Sequence, residues 1–360
     1  MGVLEKLAAV NSWINNRLAF IVRHGSHAYG TNIETSDDDF KGVAISPKEY
    51  YLGFVKGFEQ QELKDPDTCV YEIRKFFKLA AAANPNVIEI LYTNKEDHIL
   101  VNPVGERIFD ARDKFLSKRI RYTFAGYARS QLNRLELHYR WLKDPPKTMP
   151  TRFDFDLPAK TLIPENQFLA IKSMVNKEIE SYNIGYILDD LREDQTIAIQ
   201  NAMQDILTEL RISKEDMWTT AAHKVGFDDN FISYMQVERA YENKKREWNQ
   251  FNDWKKNRNP SRATLEEKYG YDCKHAYHLV RLLRMSREIL ETGKVIVKRP
   301  DREELLAIRN GAWSYNKLIE FAKTEDSKLD EICAKSKAIP DKPDMIFLDR
   351  LCTQIVEEVI

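Results

Sequence analysis

Two short stretches near the start of the chain bring together residue types able to do chemistry. Gly25-Ser26-His27-Ala28-Tyr29-Gly30 is followed, after ten residues beyond Ser26, by Asp37-Asp38-Asp39. Asp37 and Asp39 stand two apart. On an extended strand alternate side chains share a face, so these carboxylates converge while Asp38 points away. Convergent carboxylates suit a hard cation: Mg²⁺ is held by one or two carboxylates together with the phosphates of its substrate. Gly25 allows close approach of the backbone, and Ser26 adds a hydroxyl and an amide N–H. The pair can therefore hold the phosphates that share the metal. A bare Asp-x-Asp is also the composition of a solvated turn, and a bare Gly-Ser carries no signal. The informative unit is the combination of strand, Gly-Ser, spacer and Asp-x-Asp running into an apolar strand.

The flanking sequence supplies elements to position these residues. Residues 1–17 read as a helix, and the apolar run Leu18–Val22 as a short buried strand. A turn-rich stretch runs to Ser36. Asp39–Ile45 reads as a second strand stopped by Pro47, Phe54–Gln61 as a third, and Val70-Tyr71 as the end of a fourth. A helix over Glu72–Ala83 stops at Asn84-Pro85, because proline disfavours helical geometry in the residue before it, and Val87–Leu91 resumes helix. The first 95 or so residues are thus a mixed α/β unit.

From Asn102 onward nearly everything reads as helix: Arg119–Trp141, Gln195–Arg211, Asn230–Asp253, Asp301–Asn310 and Ser314–Lys323. Phe168, Ile171, Val175, Ile179 and Tyr182 recur at steps of three and four, an apolar helical stripe. Asp272–Thr292 is a strong helix, with Asp272 to cap its start and Gly293 to end it. Proline-bearing stretches at 145–165 and 257–262 bracket a helical segment that reads as an insertion.

Composition narrows the function classes. The 360 residues suffice for about two domains. Fifty-five Lys and Arg against 56 Asp and Glu leave a net charge of −1, which excludes a uniformly basic nucleic-acid coat while leaving room for local basic patches. The 43% apolar share supplies a core. No apolar run reaches the roughly 18 residues of a membrane span. The first 19 residues read as an amphipathic helix rather than a signal peptide. Gly2 is followed by Lys6 where a myristoylation signal wants Ser or Thr. Cys69, Cys273, Cys333 and Cys352 lie far apart, without zinc-ligand spacing. A reduced, cytoplasmic protein is the expectation.

The Gly-Ser and Asp-x-Asp combination resembles the nucleotidyltransferase superfamily typified by DNA polymerase beta. Gly25–Gly30, Ser36-Asp-Asp-Asp-Phe-Lys-Gly-Val43, Arg74-Lys-Phe76 and Asn84–Leu91 look like its RNA-repair-pathway branch, found in bacteria and phages. The run Lys268–Leu283 and Ile308-Arg-Asn-Gly311 look like that branch's C-terminal motifs. The resemblance covers about residues 18–140 and 265–325. His27 stands where many relatives carry arginine.

The resemblance implies an α+β fold: a polymerase-beta-like palm, a small mixed sheet with flanking helices, followed by a large helical region. The expected domains are a catalytic 1–110, a helical 111–330 with an insertion at 160–262, and a helical tail at 331–360. It also implies two-metal nucleotidyl transfer. Asp37 and Asp39 would hold two Mg²⁺ ions (or Mn²⁺) roughly 3.5–4 Å apart. Ser26 and nearby amides would hold the phosphates of an NTP whose α-phosphorus is attacked by an acceptor hydroxyl, with release of pyrophosphate. The superfamily supplies a third carboxylate. Asp67 is the first choice, because it alternates with Cys69 and Tyr71. Glu72 is the second, although it also sits where a helix starts and can act there as a charge on the dipole. Asp65 is the third.

Further candidates flank this set. Lys274, His278 and Arg281 share one face of their helix, and the resemblance favours Lys274 and His278 as nucleotide contacts, with Asp272 capping or orienting them. His275 suits the core or a hydrogen bond near the site. Tyr29 can stack on a base or pack, Glu89 can line the pocket or serve the helix break, and Arg23 and His24 can touch phosphate from an exposed loop. Lys244-Lys-Arg246, Trp248, Phe251, Trp254, Lys255-Lys256, Arg258 and Arg262 interleave cations with aromatics. That composition fits either an RNA surface or an aromatic packing face.

The function implied is a Mg²⁺-dependent nucleotidyltransferase acting on an RNA end or a protein side chain, with NTP as its small partner and no membrane partner. The alternatives are a non-catalytic nucleotide- or RNA-binding module and a regulator that modifies a partner protein, as toxin-paired nucleotidyltransferases do.

Overall fold

The computed structural model describes residues 2–163, 219, 228–258 and 260–360. The apolar stripe expected over 168–182 and the helix expected over 195–211 lie outside the described residues. The rest divides into two compact units, one of residues 1–128 with 277–360 and one of residues 129–276.

The first unit is built on a five-stranded mixed sheet of order β3-β4-β2-β1-β5. Its strands are β1 (Leu18–His24), β2 (Asp39–Ala44), β3 (Gln60–Lys64), β4 (Asp67–Glu72) and β5 (His98–Val101). β2 and β4 run parallel, and the other pairs are antiparallel. β1 is apolar almost throughout because both faces of the sheet are covered. On one face Ile21, Phe40, Ala44 and Val70 pack with Leu7 and Ile14 from the N-terminal segment, which carries α1 (Val3–Val10). On the other face the Phe20 ring meets Phe76 of α4 (Ile73–Ala81) and Phe109 of α6 (Pro103–Asp110), at centroid distances of 5.7 and 4.7 Å.

Local chemistry sets the element ends. Glu72 caps α4 by accepting the Arg74 and Lys75 N–H groups, at 2.9 and 3.2 Å. Asn84 accepts the Asn86 N–H, and Pro85 opens α5 (Pro85–Leu91). Between β1 and β2 lies α2 (Gly25–Tyr29), and between β2 and β3 lies α3 (Lys48–Leu52).

Two expectations shift. The N-terminal helix ends at Val10, with only a single 3₁₀ turn at Asn15–Arg17. The third strand begins at Gln60, later than the apolar Phe54 suggested, and Phe54 is fully exposed. His98–Val101, for which the sequence suggested no element, forms β5 and completes the sheet beside β1.

The C-terminal part of the first unit is helical: α10 (Cys273–Thr292), which begins in the second unit, then α11 (Arg302–Arg309), α12 (Tyr315–Lys335) and α13 (Met345–Val359). Residues 331–360 belong to the first unit. Glu358 on α13 pairs with Arg107, and the Val359 carbonyl accepts from Arg17, so the chain end closes on the sheet layer. The two compact units divide at 128 and 276.

The second unit contains the later part of α7 (Ile120–Lys143), α8 (Asp229–Asn257), α9 (Pro260–Tyr269) and the first turn of α10. Trp141 packs against Phe251 and Trp254 at 5.7 and 5.4 Å between ring centroids. The aromatic residues of the basic stretch thus serve this interior, and Arg258 lies over Trp254 while pairing with buried Glu266. His138 sits beside the same cluster; burial, aided by the neighbouring His275, pushes its imidazole down to about 4, so it is neutral at pH 7.

Candidate active site

β1 delivers the chain to the site at His24, which pairs in register with Asp39, the first residue of β2. The backbone then turns sharply at Gly25, whose φ of +63° is left-handed and favours glycine. A Cβ built on Gly25 would lie 1.9 Å from Asp39 Oδ2, so the carboxylate fills the space that a side chain would take. Gly30, with φ +69°, ends α2, and the Thr31 N–H donates to the Ser26 carbonyl at 2.9 Å. The Gly-Ser turn and the second acid of the Asp-x-Asp are therefore in direct apposition.

Asp39 pairs across the parallel ladder with Asp67, the first residue of β4. Directly paired residues present their side chains on the same sheet face. Lys41 follows two positions after Asp39 on this face, with Nζ 3.5 Å from Asp67 Oδ1. Glu72 pairs with Ala44 on the opposite face, where its oxygens cap α4 and accept the Tyr51 hydroxyl at 2.8 Å. Asp65 is exposed and pairs with Lys6 at 3.2 Å. Of the three candidates for a third carboxylate, only Asp67 stands beside Asp39.

Asp37 is placed differently from the strand-alternation argument. β2 starts at Asp39, so Asp37 is an exposed residue of the preceding loop and no pleat dictates its direction. Asp38 Oδ1 lies 3.3 Å from Arg23 Nε and 3.7 Å from His27 Nε2. Neither of those nitrogens has a hydrogen-bond partner, although both are buried. These two donors flank the Gly25-Ser26 turn.

Behind the turn is a buried polar cluster. Tyr29 is only 4% exposed, its hydroxyl donates to Glu89 Oε2 at 2.6 Å, and the Arg281 guanidinium lies over its ring. Burial pushes the Tyr29 phenol well above its ordinary range, which keeps it a donor. Arg281 forms an ion pair with fully buried Glu89. His24 is buried in β1, not in an exposed loop, with Nε2 3.8 Å from Glu89 Oε2. Burial, with the charges of Lys41 and Arg281, pushes its imidazole down to about 3, so it is neutral at pH 7. The Thr31 and Tyr277 hydroxyls share a hydrogen bond of 2.7 Å that ties this region to α10.

This cluster bears on two readings, the stacking role of Tyr29 and the helix face that Arg281 shares with Lys274 and His278. Tyr29 is committed to the core and presents no ring for a base. Arg281 is not part of an exposed cationic stripe with Lys274 and His278, because burial demands the carboxylate of Glu89 as its partner. His278 is half-buried in the first unit beside the Tyr277 ring, whereas Lys274 belongs to the second unit, on the first turn of α10 that Asp272 caps. Sequence reasoning missed Lys41 and the Arg281–Glu89 pair. The alternation that joined Asp37 to Asp39 extends one step further to Lys41. The ion pair spans 192 positions, which no local pattern reveals.

A small mixed sheet with a glycine turn closing on a strand-borne aspartate is the architecture expected of a polymerase-beta-type nucleotidyl-transfer domain. Residues 2–157 match the model of the RNA repair pathway DNA polymerase beta family, the branch to which the motifs pointed. A protein described as an uncharacterized 38.9 kDa protein in the nrdC-mobD intergenic region of Enterobacteria phage T4 is 31% identical over 122 residues. That alignment takes in 31% of this chain and 36% of the phage protein. No solved structure matches the chain. The family match suggests the nucleotidyltransferase class of activity. Among the described residues no helix is long and apolar enough to cross a membrane.

Proposed function

We propose that the chain is a metal-dependent nucleotidyltransferase that moves a nucleoside monophosphate from an NTP to an acceptor hydroxyl and releases pyrophosphate. The observation that carries this reading is the apposition of Gly25 with Asp39, with Asp67 in register on the next strand. The donor set fits Mg²⁺: it consists of carboxylate oxygens on one sheet face, beside a glycine turn. Asp39 and Asp67 would hold the metal from the sheet, with Asp37 contributing from its loop. Divalent ions so held supply charge neutralisation for the triphosphate and make the acceptor hydroxyl a better nucleophile.

The protein's own groups would do the rest. The Gly25 backbone lets phosphate oxygens approach closely, and the Ser26 hydroxyl and N–H can donate to them. Arg23 and His27, which face the Asp38 carboxylate at the same turn, would turn to the phosphates. His278, on the helix whose Tyr277 is bonded to Thr31, is a further proposed nucleotide contact. Lys41 would exchange its pairing with Asp67 for the incoming phosphates once the carboxylates are engaged. The acceptor is an RNA end or a protein side chain. A cytoplasmic setting, where nucleoside triphosphates and Mg²⁺ are abundant, suits this chemistry.

The test is incubation of the full chain with each labelled NTP, Mg²⁺ or Mn²⁺, and RNA and protein acceptors. Expected are pyrophosphate release and label transfer, both lost in Asp39→Asn and in Asp67→Asn. Nucleotide binding without turnover would instead make the chain a binding module.

A further inference from the structure

In the second unit His138 of α7 and Asp272 and His275 at the start of α10 each offer one ligand atom, and these atoms lie within 4.8 Å of one another. Asp272 divides its oxygens between two tasks. Oδ1 accepts the Lys274 and His275 N–H groups, at 2.8 and 3.1 Å, and so caps α10. Oδ2 lies 3.5 Å from His275 Nε2.

The His275 ring is fixed from its other side: Nδ1 is 2.6 Å from the Gln131 side-chain oxygen. Since that oxygen only accepts, Nδ1 is the donor of this bond, and Nε2 is the ring nitrogen turned toward the carboxylate. A cation, either the ring's own proton or a metal ion, can join Nε2 to the carboxylate. A ring whose far N–H is held by an oxygen acceptor is also the usual support of a metal-ligating histidine.

Two surrounding features agree. His138 Nδ1 is buried with no hydrogen-bond partner, and the ring lies 5.5 Å from Trp141 and 5.2 Å from Trp254, an apolar wall. Buried Glu266 next to Asp272 adds a second carboxylate, of which Arg258 balances one charge.

We propose that His138, Asp272 and His275 bind one transition-metal dication of the zinc class. Two imidazoles and a carboxylate match the ligand preference of Zn²⁺ and not that of Mg²⁺, which prefers oxygen alone. Bonds of about 2.0–2.1 Å in a tetrahedron set ligand atoms about 3.3 Å apart, close to the 3.5 Å between Asp272 and His275. Three protein ligands leave a fourth position for water. The ion would fasten α7 to the cap of α10. It shares no residue with the Asp39–Asp67 group, so this inference stands independently of the proposed activity.

The test uses the full chain with Asp39→Asn and Asp67→Asn, which silence the oxygen-rich group. Zn²⁺ is titrated in competition with a chromophoric chelator, and Co²⁺ is followed by its visible absorption. One Zn²⁺ per chain is expected, with a four-coordinate Co²⁺ spectrum. Binding should be at least about tenfold weaker after His138→Gln or Asp272→Asn. Asparagine retains the oxygen that caps α10, so Asp272→Asn separates ligation from capping. Circular dichroism without metal verifies the fold of each variant, and Zn²⁺ should raise the melting temperature of the parent alone. Absence of binding in the parent, or binding unchanged in both folded variants, overturns the inference. So does Zn²⁺ that binds the wild-type chain but not the Asp39, Asp67 parent.

Discussion

Replacing Gly25 by alanine strikes two features at once. The left-handed φ of +63° costs an alanine about 1–2 kcal/mol, a penalty larger than its gain from a stiffer unfolded chain. The new methyl would also sit 1.9 Å from Asp39 Oδ2, so the oxygen must retreat by about 1.5 Å to reach an ordinary 3.4 Å contact. A catalytic group misplaced by about 1 Å loses on the order of 100-fold in rate. Gly25→Ala should therefore lower stability in urea denaturation by the backbone cost of about 1–2 kcal/mol plus at least about 0.5 kcal/mol for displacing the carboxylate, and cut NTP turnover about 100-fold or more. The decisive comparison is the same substitution in an Asp39→Ala background, where the nearest remaining Asp39 atom, Cβ, lies 3.2 Å away. There the backbone cost persists and the clash largely vanishes, so the two substitutions should couple by at least about 0.5 kcal/mol. Equal penalties in both backgrounds, or an alanine variant with wild-type stability and turnover, would refute the apposition.

Three further expectations concern the surroundings. Glu89→Ala leaves the buried Arg281 charge unpaired and should cost about 3–5 kcal/mol, while Glu89→Leu with Arg281→Met should cost much less; equal losses in urea denaturation would contradict the ion-pair assignment. Asp67→Asn should abolish turnover at wild-type stability, whereas Glu72→Ala should cost about 1 kcal/mol through its lost cap, and the reverse pattern would exchange their roles. His24 is held at about 3 when folded against 6.5 when unfolded, so the unfolded chain takes the proton first as pH falls. Stability is then full above pH 6.5 and declines toward pH 3, by up to about 1.4 kcal/mol per pH unit. His24→Gln should remove that share of the slope and leave the share of His138, whose pKa of about 4 acts in the same direction; an unchanged slope would contradict the buried neutral imidazole.

The strand-turn-strand frame was legible because it is local. The apolar run of β1, the glycine after it and the acid opening β2 lie within 22 positions, and each follows from side-chain burial or backbone freedom. The choice of Asp67 rested on alternation toward Cys69 and Tyr71, and the ladder pairs it with Asp39. Alternation failed for Asp37, because a strand's first residue depends on where pairing begins, which no single strand reveals. The same limit hid β5, whose His98-Ile-Leu-Val101 is too short to be distinguished from a linker until β1 provides its partner. The burial of Tyr29 and Arg281 was not legible for one reason: it depends on Glu89, and that partnership exists only after α5 and α10 are assembled.

Anomalous scattering from crystals grown with Mn²⁺ and a non-hydrolysable NTP tests the central claim most directly. The account predicts a manganese peak bound by carboxylate oxygens of Asp39 and Asp67, with the triphosphate lying along Gly25 and Ser26. Manganese and nucleotide bound elsewhere on the chain, with Asp67 still paired to Lys41, would contradict it.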